Sequence, residues 1–221
     1  MIQIKLNEKI YIKDPETSEL GRMIVSNSIT LIDKWGLENF TFRKLSKEIN
    51  STEASIYRYF ENKYQLLAYC NSWYWNWMEY RVNFSINNIV DPVAKLEIII
   101  ELLTKPIEID PNFTHIDEKA LHRIIISESA KTYLRKNVDK NNKEGYFKSY
   151  KSLTKQLANI IRDISPEYKY AESLISLIIE GSHSQIYFAD HLPSLTNVNE
   201  KNCSLNEFCK DIVFSVIKRN K

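Results

Sequence analysis

At 221 residues and 43% hydrophobic content, the chain is long enough to bury the core of one or two domains. Its 30 basic and 28 acidic side chains leave a net charge of +2, which argues against a general polyelectrolyte binder but leaves room for a sequence reader that confines positive charge to one small face. Four glycines are few for the many turns of a strand-rich fold, so the expected class is all-α.

The first thirteen residues alternate apolar and polar, with Ile2, Ile4 and Leu6, then Ile10 and Ile12. That period of two reads as an extended arm docked on the body or a partner subunit; disorder is the other reading. Asp14-Pro15, Asp91-Pro92 and Ser165-Pro166 each set a capping side chain before a residue suited to the first helical position.

From residue 15 to 35, Leu20, Ile24, Ile29, Leu31 and Ile32 recur at helical intervals, and Gly36 is the expected stop. Phe42, Leu45 and Ile49 share one face of a two-turn helix opened by Thr41. Asn50, tolerant of the left-handed conformation, ends it. Ser51 or Thr52 caps the next helix, whose Ile56, Tyr59 and Phe60 point to the core. Two helices of about eight residues joined by about three form a helix-turn-helix.

Asn62 caps a long helix over 63–86, and helical periodicity returns at 92–104, 117–134, 143–164, 166–191 and 205–218. Ser204 and Glu207 make a capping box for the last. About nine helices result. The organisation expected is an arm (1–14), a three-helix helix-turn-helix head (15–62) and a helical regulatory and dimerisation body (63–221).

Residues 41–67 read TFRKLSKEINSTEASIYRYFENKYQLL. With its opening threonine, small-residue turn, I-Y-x-Y-F block, Lys63 and the pair Leu66-Leu67, this stretch resembles the DNA-binding region of the TetR family of bacterial regulators. The family's usual turn glycine is Asn50 here, and its frequent glycine early in the recognition helix is Ala54. The resemblance implies a homodimeric, ligand-responsive regulator, usually a repressor, on a palindromic double-stranded DNA operator.

Independently of that likeness, a helix entering the major groove leads with its N-terminal residues, and small Ala54 and Ser55 permit close approach. Glu53, Ala54, Tyr57 and Arg58 are left pointing outward once the core positions are assigned. Arg58 is the best candidate for a bidentate guanine contact, and Arg43 is a second base reader by analogy with the family. Tyr57 resembles the family tyrosine that meets a phosphate or a thymine methyl. Thr41 and Lys63 stand at helix N-termini, where phosphate oxygens are attracted. Lys44, Thr52 and Tyr59 complete the candidate DNA-binding set. Glu53 either accepts from cytosine N4 or is solvated or paired with an arginine.

In the body, Trp73, Tyr74, Trp75, Trp77 and Tyr80 crowd the long helix. In TetR-like proteins a hydrophobic effector pocket often lies beside this helix, so Trp73, Tyr74 and Trp77, with His183 and Tyr187, are candidate pocket residues; burial as plain core is the alternative. Leu174, Ile178, Gly181 and Gln185 on one helix, with Phe208, Ile212 and Val216 on the last, resemble the family's two-helix contribution to a dimer interface. Intrachain packing is the competing reading.

Four histidines, His115, His122, His183 and His191, show no metal-ligand spacing, and no nucleophile elbow, Walker loop or dinucleotide fingerprint occurs. No catalytic residue, metal or cofactor is therefore assigned. Cys70, Cys203 and Cys209 lack C-x-x-C spacing and fit buried thiols in a reducing cytoplasm. No signal peptide or membrane span is read. A competing class is a helical ligand-binding or interaction protein without operator recognition. It is favoured by Glu48, Glu53 and Glu61 offsetting Arg43, Lys44, Lys47, Arg58 and Lys63.

Overall fold

In a computed structural model, residues 4–199 and 204–218 are described, and they form eleven α-helices. Ile2 of the expected arm and Cys203 lie outside the described residues. Two compact units are built from interleaved segments, residues 1–77 with 107–149 and residues 78–106 with 150–221. Among the described residues, no helix is long and apolar enough to cross a membrane.

In place of a strand-like arm, a 3-10 turn at Glu8–Ile10 is capped by Asn7, and Ile10 is fully buried. The backbone turns because Asn7 accepts from the Lys9 N–H, while its amide donates to the Glu144 carbonyl at 2.7 Å. The Tyr146 hydroxyl donates to the Lys9 carbonyl, and the Ile12 N–H to that of Tyr59. The Asp14-Pro15 signal opens a second 3-10 turn, Pro15–Thr17, and not a long helix.

Helix α1 (Glu19–Asn39) starts at Ser18, whose hydroxyl accepts from the Gly21 N–H. Gly36 breaks its last turn with φ 72° and ψ 158°. α1 packs against α6 (Glu118–Glu128), with Arg123 and Asp33 joined by two hydrogen bonds of 2.9 and 2.7 Å. α2 (Phe42–Glu48) and α3 (Glu53–Tyr57) follow, then α4 (Lys63–Ile86), which supplies residues to both units.

The run expected as one helix over 117–134 is two, α6 and the short α7 (Ala130–Tyr133), and α8 (Val138–Lys143) is additional. Gly145, at φ 84°, delays α9 (Lys148–Ile164) by one turn relative to expectation, because a left-handed residue cannot continue a right-handed helix.

The second unit packs α5 (Pro92–Thr104) against α11 (Leu205–Lys218) and α10 (Ala171–His191). Asp91 caps α5 as expected, accepting from the Ala94 N–H at 2.9 Å. α10 starts well after Pro166, since the Tyr168 N–H turns back onto the Ser165 carbonyl and Tyr170 gives no side-chain cap. Its core of Leu96, Ile99, Leu157, Ile161, Ile175, Ile179 and Val213 is almost wholly withdrawn from water. That apolar burial, at about 25 cal/mol per Å², is what holds helices with so few cross-links.

Candidate nucleic-acid interface

The head is built on caps. The Thr41 hydroxyl accepts from the Lys44 N–H at 3.2 Å, and the Thr52 hydroxyl from the Ser55 N–H at 3.1 Å. Each cap stabilises its helix by about 1 kcal/mol. Between them Asn50 takes φ 50°, the left-handed turn expected of it, and the Ser51 N–H closes onto the Ser46 carbonyl at 2.8 Å. Phe42, Leu45, Ile49, Ile56, Tyr59 and Phe60 are buried, so α2 and α3 share one apolar seam.

α3 is five residues long, shorter than expected, and presents Glu53, Ala54 and Tyr57 to solvent, with Ser55 half-buried. The Tyr57 ring is 49% exposed yet meets Phe42 edge-on at 5.1 Å, which fixes the ring and leaves its outer edge free to contact a ligand. Arg58 forms the C-cap, about 7.5 Å along the axis from Glu53. Arg43 and Arg58 are exposed, and neither makes an ion pair among the described residues; the same holds for Glu53.

Three candidates are placed otherwise than expected. Tyr59 is 3% exposed and its hydroxyl lies 2.8 Å from the Ser18 hydroxyl, so it is a core residue beyond reach of DNA. The Lys63 ammonium donates to the carbonyls of Leu37, Glu38 and Phe40 at 2.8, 3.1 and 3.4 Å. All three of its protons are used on the chain that follows the Gly36 break, and none is left for a phosphate. The Glu128 carboxylate holds the same segment from its other side, accepting from the Leu37 N–H at 3.0 Å. Lys44 is partly committed, donating to the Asn39 carbonyl at 2.7 Å and lying over the Trp35 ring.

The aromatic cluster on α4 is packed core. Trp73, Tyr74 and Trp77 are at most 2% exposed. Trp73 stacks on Trp77 at 6.1 Å and meets Phe113 edge-on at 5.3 Å, while Tyr74 stacks on His122 at 5.7 Å. His183 and Tyr187 belong to the second unit, where burial pushes the His183 imidazole down to about 4 and Tyr187 is 39% exposed.

A cavity that the sequence did not suggest lies elsewhere in the first unit. Its volume is about 280 Å³, and it is lined by the first turns of α4 and by the 132–146 segment.

Of the interface candidates, Leu174 and Ile178 are buried within the chain. Gly181 faces open space, Phe208 is exposed, Ile212 and Val216 are half-buried, and Gln185 accepts from the Thr196 hydroxyl. Leu177, 64% exposed, was not singled out in the sequence, and it lies one turn before Gly181 on the outward face of α10. Cys70 and Cys209 are buried free thiols, with burial pushing that of Cys70 up to about 12.

Residues 24–70 match the family model for bacterial regulatory proteins of the tetR family. No curated protein matches the chain in sequence. Several solved structures share the fold. One is a putative transcriptional regulator from Saccharomonospora viridis in complex with choline, at TM-score 0.59 and 18% identity, covering 92% of this chain and 98% of that one. Another is AibR in complex with isovaleryl coenzyme A and operator DNA, at 0.57 and 14%, covering 89% and 98%. A third is the ketosteroid transcriptional regulator KstR2 of Mycobacterium tuberculosis, at 0.55 and 12%, covering 90% and 93%. Residues 24–70 are thus similar to the DNA-binding segment of the tetR family of bacterial regulatory proteins, and the chain as a whole shares the fold of these regulators.

Proposed function

We propose that the protein is a repressor that binds a palindromic operator as a homodimer and releases it when a small molecule occupies the body. The observation that carries this reading is the solvent-facing row Glu53, Ala54, Tyr57 and Arg58, held on the buried base Ile56, Tyr59 and Phe60. A rigid base under an exposed, small-residue N-terminus suits insertion into a major groove. In this reading Arg43 and Arg58 read bases, Tyr57 meets a phosphate or thymine methyl, and Thr41, Thr52 and Ser55 shape the helix starts that approach the backbone.

A monomer offers one such row, and adjacent major grooves on one face of DNA recur at ~34–36 Å, so specific affinity requires two heads. Exposed Leu177 and Phe208, open Gly181 and half-buried Ile212 and Val216, on the packed helices α10 and α11, are the residues that support self-association in this reading. AibR, with its acyl-coenzyme A and operator, and the choline complex are the precedents for a small-molecule effector. Effector binding that favours one head separation weakens DNA affinity by linkage.

The test is whether full-length protein shifts DNA from its own upstream region at moderate salt, while light scattering reports a dimer. A stable monomer at micromolar concentration that leaves this DNA unshifted overturns the proposal. A second reading, a ligand-binding protein without operator recognition, is favoured by one observation. Two of the five cations set against Glu48, Glu53 and Glu61, namely Lys44 and Lys63, are engaged with backbone carbonyls.

A further inference from the structure

The cavity described above in the first unit is lined mainly by polar side chains. Asn62, Tyr64 and Gln65 come from the start of α4, and Arg135, Asn137, Lys140, Asn141, Glu144 and Tyr146 from the segment facing it, with Ala68 and the buried Thr132 also lining it. Its volume of about 280 Å³ is just under the usual range for small-molecule pockets, ~300–1,000 Å³, so an occupant must be small.

Two of its lining charges stand out. The Arg135 guanidinium lies over the Tyr64 ring at 3.9 Å, and no carboxylate pairs with it among the described residues. Stacking on the ring fixes the plane of the guanidinium and leaves its N–H edge for a planar oxyanion. Glu61 lines the same cavity and carries no ion pair among the described residues. The remaining pair, Lys140 and Glu144, sits at 4.0 Å and is internally balanced. One cation and one anion without an ion-pair partner among the described residues, and not paired with each other, thus border a single small cavity.

We propose that this cavity binds a small zwitterion of amino-acid type, its carboxylate on Arg135 and its ammonium on Glu61. A guanidinium presents two parallel N–H groups to a carboxylate, and a carboxylate accepts readily from an ammonium. The Asn62 oxygen caps α4 and the Gln65 oxygen accepts from the Glu61 N–H, so the Asn62 amide N–H groups and the Asn141 amide are the neutral groups left for the rest of the molecule. A monovalent anion would leave Glu61 facing it with like charge, and a bare amine would do the same to Arg135. The occupant bridges the first turn of α4 to the 132–146 segment, and this binding holds whether or not the head binds DNA.

The test uses the full-length protein, with the standard amino acids as probes, beside their des-amino carboxylates and their amide derivatives. Binding is read by calorimetry and by the thermal midpoint. At least one amino acid is expected to bind, while its des-amino and amide analogues bind at least tenfold more weakly. Arg135→Gln and Glu61→Gln should each weaken binding roughly ten- to hundred-fold. Glu61→Gln is an exposed, nearly isosteric change, so it keeps the test valid if Arg135→Gln fails to fold. If no amino acid binds at millimolar concentration, or if the des-amino carboxylates bind as well as the parents with no effect of Glu61→Gln, the proposal is overturned.

Discussion

The head and the aromatic stretch of α4 use similar side chains to opposite ends. In the head, short-range signals determine nearly everything. Thr41 and Thr52 cap, Asn50 turns, and each of these capping hydrogen bonds spans only a few residues, so Tyr57 and Arg58 are left at the surface. Along α4, Trp73, Tyr74 and Trp77 are buried, and the rings of Trp73 and Tyr74 pair with Phe113 and His122 from distant segments. An aromatic residue is exposed where local caps hold its helix against a thin seam. It is buried where long-range partners surround it.

The largest effect that can break this comparison is Trp77→Ala. Removing a fully buried indole from the stacked cluster is expected to cost about 3–5 kcal/mol, read by chemical denaturation. A loss below ~1 kcal/mol would mean that the cluster is loose enough to be a pocket.

Next comes pH. Burial depresses the His183 imidazole from its ordinary value of 6.5 to about 4. The unfolded chain takes up a proton near pH 6.5 that the folded chain refuses until near 4, so stability present at neutral pH is lost as pH falls through that window. The loss is on the order of 3 kcal/mol. His183→Gln should flatten the thermal midpoint between pH 6.5 and 4 relative to the parent, and an unchanged slope would place the acid sensitivity elsewhere.

Smaller still is Lys63→Met, which deprives three carbonyls of a charged donor and should cost about 2 kcal/mol. If it instead leaves stability intact and lowers affinity for all DNA alike, the lysine is a phosphate anchor after all.

These cases also mark what could be read from residues alone. The caps, the turn at Asn50, the Gly36 break and the buried face of α3 are local, and local spacing reveals them. The target of Lys63 lies more than twenty residues upstream, and nothing beside it in sequence announces the association. Leu174 and Ile178 share the helical period of an interface, but α10 has apolar residues on two faces, and periodicity cannot say which one its own chain covers. The Tyr64–Arg135 stack joins segments far apart in the chain, so the cavity it borders was invisible before folding. Gly21 is another such case: a Cβ there would come within 2.2 Å of the Pro15 carbonyl, a contact made only because the 3-10 turn folds back.

The central claim is that α3 reads DNA through its exposed row. Its most direct test is the ratio of affinities for DNA from the chain's own upstream region and for a shuffled duplex, measured by fluorescence anisotropy with the parent and Arg58→Ala. The account predicts that the parent prefers its own DNA and that the variant loses about 1–3 kcal/mol of that preference while its affinity for the shuffled duplex changes little. Equal weakening on both duplexes, with the ratio preserved, would contradict it.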